Sequence, residues 1–208
     1  MNTNMNMNVI ILDFETSGLN PYQDDIIEIG AKVMGTDNYY TTLVQPRSDK
    51  FISKKITEIT GITNRLLKKE GKKWLEAYKD FYNWLMEQFK DGEENMIVSH
   101  NGETFDFLFF RKMLMCLQGE NEDISKIKEY NIIYIDTLLL SRRLLSNRSY
   151  YTQKSLCNTF NIQIINAHRA MGDVVCLEEL YGKLLTILGR DYDNITGKLV
   201  RDYIRINI

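Results

Sequence analysis

Cysteine is scarce and odd in number: Cys116, Cys157 and Cys176 stand far apart among apolar neighbours. That pattern excludes a disulfide framework, suits a reducing compartment and reads as three small buried hydrophobes. Only 2 prolines occur in 208 residues, and with no repeat or low-complexity stretch there is no linker at which to divide the chain. No apolar run reaches the ~18 residues of a membrane-spanning helix. The start, Met1-Asn2-Thr3-Asn4-Met5-Asn6-Met7-Asn8, has neither a cationic opening nor an apolar stretch, so it does not read as a secretory signal. These absences predict a soluble, intracellular protein of the cytoplasm or nucleus with no membrane partner. Positive charge is not in excess either: 26 Lys and Arg face 28 Asp and Glu, a net charge of −2. The chain lacks the basic balance common among nucleic-acid binders, although a site built from carboxylates contributes negative charge that bound cations invert locally.

What is present is ordinary in amount. A hydrophobic fraction of 44% and a charged fraction of 26% match an average soluble globular protein, and the length fits one domain with elaborations. The expectation is a single domain over residues 1–208, with a core at about 9–188 and a C-terminal extension at 189–208. Short apolar runs at Val9–Phe14, Ile26–Met34 and Tyr39–Val44 are separated by Gly18-Leu19-Asn20-Pro21 and Gly35-Thr36-Asp37-Asn38. They predict three strands in a meander. Residues Ile56–Leu67 predict short helical turns broken by capping residues at Thr57, Thr60-Gly61 and Thr63-Asn64. Trp74, Tyr78, Phe81, Leu85 and Phe89 recur at helical spacing, so an amphipathic helix is expected from near Lys72. Next come strand Asn95–Ser99, helix Phe105–Leu117, strand Ile132–Ile135, helix Thr137–Leu145, helices Thr152–Phe160 and Met171–Leu188, and a last helix in the tail. This order packs as an α/β fold, a mixed five-stranded sheet flanked by helices.

Asp13-Phe14-Glu15 ends an apolar strand, and alternation puts both carboxylates on one side. Two neighbouring like charges call for a cation or for one raised pKa, unless the strand end is solvated and both acids are surface residues. Asp106 sits in the first turn of its helix, where an acid also complements the helix dipole. His168 lies in a loop with Asp173 five positions later at the next helix start. A lone loop histidine is usually structural. Together, though, the segments supply four carboxylates and one imidazole at element ends, where active sites are built.

Asp13-Phe14-Glu15-Thr16-Ser17-Gly18-Leu19, then His100-Asn101 through Phe105-Asp106, then His168 through Asp173 resemble the three motifs of the DEDDh (DnaQ-like) 3′→5′ exonuclease superfamily, in the family's order. All five catalytic positions are filled, and the resemblance runs from about Val9 to Leu185. It implies a ribonuclease H-like fold. His100-Asn101-Gly102 with Phe105-Asp106-Phe107, and Met171-Gly172-Asp173-Val174, lean towards the TREX-type and proofreading DNA enzymes, while a TREX-type proline-rich insertion is missing.

The resemblance implies two-metal phosphodiester hydrolysis with Mg²⁺ or Mn²⁺, two ions ~3.5–4 Å apart. Its products are nucleoside 5′-monophosphates, and its substrate is nucleic acid with a free 3′ end, single-stranded DNA or RNA, with DNA slightly favoured. By the family pattern Asp13 bridges the ions, Glu15 and Asp173 complete the site of the attacking water, and Asp106 serves the second ion through water. His168 takes the water's proton; imidazoles titrate near neutrality, so activity should rise from mildly acidic to mildly alkaline pH. Thr16 offers backbone amides to the terminal nucleotide and Leu19 a wedge between bases, or both merely form a turn. Asn101 contacts a phosphate or holds its own loop, and Phe105 stacks on a base or packs inward, core packing being the commoner use of such a ring. Arg169 is the first candidate for a phosphate contact; Lys54-Lys55, Lys68-Lys69, Lys72-Lys73, Arg142-Arg143 and Arg148 are others, or plain solvated surface. The competing readings are an exoribonuclease with the same site and a non-catalytic adaptor of the same fold. Family analogy alone admits a homodimer.

Overall fold

A computed structural model describes residues 7–47, 51–164, 168–192 and 194–205. Residues 1–6 of the N-terminal segment, Ala167 beside the third motif and positions 206–208 of the tail lie outside the described residues. The strands are β1 (Met7–Thr16), β2 (Ile26–Val33), β3 (Tyr39–Gln45), β4 (Lys72–Lys73), β5 (Glu94–Ser99) and β6 (Ile132–Asp136). They form one sheet in the order β4-β3-β2-β1-β5-β6. β1, β2 and β3 make the antiparallel meander expected from their turns, and β5 and β6 add in parallel on the far side of β1.

The expected five strands are therefore six among the described residues. The sixth is Lys72–Lys73, which pairs in parallel with Val44 and Gln45 at the position where the sequence predicted the start of a helix. Two lysines carry no apolar alternation, and their pairing is set by a neighbour far away in sequence. The helix begins directly after them as α3 (Trp74–Gln88). Before β4 stand α1 (Lys54–Thr60) and α2 (Asn64–Glu70). They are capped at their N-termini by the hydroxyls of Ser53 and Thr63, which accept backbone N–H groups three residues on. Gly61 closes α1 at φ 71°, a left-handed turn that suits glycine. The remaining helices are α4 (Asp106–Gly119), α5 (Thr137–Leu144), α6 (Gln153–Thr159), α7 (Ala170–Leu188) and α8 (Gly197–Arg205).

Both faces of the sheet are covered, which is why β1 reads as a continuous apolar run rather than an alternating one. Ile10, Leu12 and Phe14 pack with Phe81 and Leu85 of α3 and Phe109 and Phe110 of α4. Val9 and Ile11 face the other way, onto Val174, Leu177 and Tyr181 of α7 and Val200 of α8. All three cysteines are buried and none forms a disulfide. No helix among the described residues is long and apolar enough to cross a membrane. The parallel strands β1, β5 and β6 all end at one edge of the sheet, which gathers Glu15, Ser99 and Asp136 and the helix starts that follow.

Candidate active site

Asp13 and Glu15 continue the row begun by Val9 and Ile11, so they face α7, while Phe14 between them turns to the α3 side. Asp173 stands in the first turn of α7. Carboxylate oxygens of Asp13, Glu15 and Asp173 lie within 4.8 Å of one another. Asp106, the first residue of α4, is buried beside this trio. Its Oδ1 accepts the backbone N–H of Phe14 at 3.1 Å, which ties the second motif to the strand between the two acids of the first. His168 precedes α7 with φ 62°, and its backbone N–H donates to Asp173 Oδ2 at 2.9 Å. Asp13, Glu15, His168 and Asp173 line a single cavity of about 290 Å³.

The residues proposed to touch substrate occupy different situations. Leu19 is 80% exposed on the β1–β2 turn. Thr16 is buried and its hydroxyl donates to Gly18 O at 2.6 Å. Asn101 adopts φ 63° and its side-chain oxygen accepts the Thr104 hydroxyl at 2.8 Å, so it holds its own loop. Phe105 packs on Phe109 at 5.1 Å between ring centroids and also lines the cavity. Arg169 lies on Glu28: Nε donates to both carboxylate oxygens at 3.1 Å and a terminal nitrogen to Oε1 at 2.6 Å. Among the basic pairs, Lys54 faces Glu58, Lys69 faces Glu70 and Lys72 faces Asp80; exposed pairs of this kind contribute little.

Three residues that organise the site escaped the sequence. Glu28 pairs directly with Glu15 across β1 and β2, and besides Arg169 it accepts the backbone N–H of Ala170 at 2.9 Å. It thus anchors the start of α7 against the sheet. Gly30 assists, because a Cβ there would come within 2.7 Å of the Ala170 backbone. Asp136 is the third: its Oδ1 accepts from Asn101 and Leu138 N–H and its Oδ2 from Glu103 N–H, so one buried carboxylate caps α5 and fixes the loop before α4. His100 is committed too, with Nδ1 3.0 Å from the Thr137 hydroxyl and Nε2 3.0 Å from Tyr151 O. Burial holds its pKa down, which fits a neutral, structural ring.

The Glu28–Arg169 pair is asymmetric in burial: Glu28 is 3% exposed and the arginine side chain 42%. Arg169→Ala strands a buried carboxylate inside an acidic cluster, a loss of roughly 3–5 kcal/mol. At ~2–4 °C per kcal/mol for a chain of this size, the Tm should fall by about 10 °C. Glu28→Ala leaves an arginine that can rehydrate, and should cost less than half as much. Thermal denaturation of the two variants checks this, and equal losses or the reverse order would contradict it.

Burial, with mutual crowding, raises Asp13, Glu15, Asp106 and Asp173. Burial, then Asp173, Glu28 and Asp106, push the Glu15 carboxyl up to about 8. Burial, followed by Asp106 and its other acidic neighbours, holds Asp13 well above the carboxylate range. Burial raises Asp106 and Asp173 as well, against the hydrogen bonds from Phe14 and His168 that pull them down. The folded chain without a cation therefore keeps protons that the unfolded chain releases above pH ~4. Stability must fall as pH rises from about 5 to about 8. In a chelator, the Tm should be several degrees lower at pH 8 than at pH 6, and Mg²⁺ should raise it more at pH 8. Calorimetry reads both; a Tm that climbs with pH in the chelator would refute the crowded cluster. Thiol chemistry is disfavoured in the same cavity, because burial pushes the Cys157 thiol up to about 12.

Known proteins share this architecture. The crystal structure of Escherichia coli Exonuclease I with a dT13 oligonucleotide superposes with a TM-score of 0.73 at 18% identity, over 90% of this chain and 43% of that one. The fold is thus the α/β exonuclease fold of ribonuclease H type. In sequence, the PolC-type DNA polymerase III of Thermotoga maritima is 34% identical over 184 residues, 86% of this chain and 12% of that protein. The chain therefore spans only about an eighth of the PolC-type polymerases it matches. The DNA polymerase III subunit epsilon of Buchnera aphidicola subsp. Schizaphis graminum is 30% identical over 92% of this chain and 78% of the subunit. Exonuclease DPD1 of Arabidopsis thaliana, chloroplastic and mitochondrial, is 29% identical over 86% of this chain and 56% of that protein. A family model described as Exonuclease matches residues 10–181, from β1 through most of α7, and the chain belongs to this RNase_T family of exonucleases.

Proposed function

We propose that the chain is a metal-dependent 3′→5′ exonuclease that releases nucleoside 5′-monophosphates from nucleic-acid 3′ ends, with single-stranded DNA favoured over RNA. The observation that carries the reading is the trio Asp13, Glu15 and Asp173, with oxygens within 4.8 Å of one another beside His168 at the sheet edge. An all-oxygen donor set suits hard divalent cations, Mg²⁺ or Mn²⁺. Acids that push one another's protons up lack a countercharge, and a cation supplies one.

In this reading Asp13, Glu15 and Asp173 would hold two divalent cations, with Asp106 as a further carboxylate serving the second. The chemistry supplied when they are bound is polarisation of the phosphate oxygens and a more acidic attacking water. His168 accepts that water's proton at an imidazole nitrogen. Its exposure keeps the ring open to the cavity, and the bond from its backbone to Asp173 keeps base and carboxylate in register. Leu19 and the Thr16 backbone flank the terminal nucleotide. Arg169 and Asn101 act by holding their own segments, given their bonds to Glu28 and Thr104. The core of residues about 9–188 forms the exonuclease unit, with 189–208 as an extension. The DNA preference leans on two of the named relatives, a PolC-type DNA polymerase III and a DNA polymerase III subunit epsilon, and on the dT13 bound by the structural neighbour.

The test is digestion of 5′-labelled single-stranded DNA and RNA of one sequence in Mg²⁺, Mn²⁺ or EDTA. A ladder shortening from the 3′ end in either metal, absent in EDTA and faster on DNA, is expected. Faster loss of RNA would replace the DNA assignment with an exoribonuclease, and retention of all strands would leave an adaptor.

A further inference from the structure

A second and larger cavity, about 470 Å³, lies outside the carboxylate site. Its walls are Tyr22 from the β1–β2 turn, Arg47 just beyond β3, and Leu108, Arg111, Lys112 and Met115 of α4. The α4 residues recur at i, i+3, i+4 and i+7, so they form one stripe on the helix. At 1.5 Å per residue the stripe runs outward for roughly 10 Å or more, beginning two positions after Asp106. Both walls are thus rooted in the candidate active site: α4 starts at Asp106, and the turn leaves β1 directly after Glu15 and Thr16.

The lining has the make-up of a single-strand track, aromatic and apolar platforms interleaved with cations. Tyr22 is 91% exposed and Met115 66%, although the turn that presents Tyr22 is firmly built. Asn20 Oδ1 accepts the Tyr22 backbone N–H at 2.9 Å, and Asp24 Oδ2 accepts that of Asn20 at 2.9 Å. A large ring held outward on a fixed turn serves no internal packing. Three cations, Arg47, Arg111 and Lys112, face a single acid of the lining, Glu120. Lys112 is occupied by Asp25 at 3.2 Å and Arg47 lies over the Trp74 ring at 4.6 Å. Arg111 makes no ion pair among the described residues.

We infer that this cavity binds the nucleic-acid strand 5′ of the reacting end, with Arg111 and Arg47 against phosphates and Tyr22 and Met115 against bases. The inference rests on the exonuclease reading above. It places the last nucleotide with the carboxylates and those before it along α4. Charge complementarity selects this occupant over a protein partner, whose docking would require no cationic excess.

The experiment compares two probes in Mg²⁺. One is the p-nitrophenyl ester of thymidine 5′-monophosphate, which has no upstream strand, and the other is a 5′-labelled single-stranded dT20. The ratio of kcat/KM on dT20 to that on the ester is measured for wild type, Arg111→Glu, Tyr22→Ala and the double variant. Loss of one stacked base or one phosphate contact should lower the ratio about tenfold, and the double variant should lower it about a hundredfold, carried by KM. Ester hydrolysis by the variants shows that they are folded. A ratio within twofold of wild type in the double variant would overturn the inference and make a protein partner the occupant of the cavity. A wild type that hydrolyses the ester but gains nothing from the longer strand would overturn it equally. A wild type inert on both probes defeats the exonuclease reading itself, and the inference falls with it.

Discussion

Asp13→Asn should lower exonuclease turnover by at least about 10³-fold while raising the melting temperature of the metal-free protein. Asp13 shares the trio with Glu15 and Asp173, and its proton is held up by burial first and then by Asp106, Glu15, Asp173 and Glu28. Cation-derived stabilisation of a phosphoryl-transfer transition state is worth several kcal/mol, and each ~1.4 kcal/mol is tenfold in rate. The same substitution removes one of the crowded charges and keeps the shape of the side chain. In a chelator at pH 8 the variant should therefore melt a few degrees above wild type, and Mg²⁺ should no longer stabilise it. A functional site that strains the fold predicts this opposition between activity and stability. A structural carboxylate predicts that both fall. Turnover within tenfold of wild type would remove Asp13 from the cation site.

His168→Ala should lower kcat about 10²–10⁴-fold, the range for loss of a general base, and leave the Mg²⁺-induced rise in Tm intact. The two effects separate because His168 reaches Asp173 through its backbone N–H at 2.9 Å, a bond that alanine retains. The carboxylate trio stays assembled and only the proton acceptor is lost. Undiminished kcat in His168→Ala would move the base elsewhere, and a lost Mg²⁺ response would make His168 structural.

The strands and helices near the site were legible because their signals are local. Val9–Phe14 reads as a buried strand from its own residues, and two-residue alternation already places Asp13 and Glu15 on one face. The caps at Thr63 and Thr152 are likewise written beside the helices they start, whereas Thr57, expected to interrupt the helical turns, lies inside α1, which Ser53 caps instead. What stayed hidden depends on register between distant segments. Glu28 sits in Ile26-Ile27-Glu28-Ile29, which reads as one polar residue in a strand; only the pairing Glu15↔Glu28 brings it to the site. Asp136 reads as the end of a strand, and nothing local shows that its carboxylate also holds the Asn101 and Glu103 amides 35 and 33 residues away. Arg169 reads in sequence as a candidate phosphate contact beside His168, yet its partner Glu28 lies 141 residues away. The family motifs name the acids that gather at the edge, whereas the residues that hold them there emerge from packing.

The central claim is that Asp13, Glu15 and Asp173 form a divalent-cation centre that drives hydrolysis. Mn²⁺ tests it most directly, through electron paramagnetic resonance titration of wild type and Asp13→Asn at pH 7.5, with turnover followed in the same samples. The account predicts Mn²⁺ bound by wild type, weakened strongly in the variant, displaced by Mg²⁺, and occupied in proportion to activity. Exonuclease activity that persists in excess chelator, or Mn²⁺ bound equally by both proteins, would contradict it.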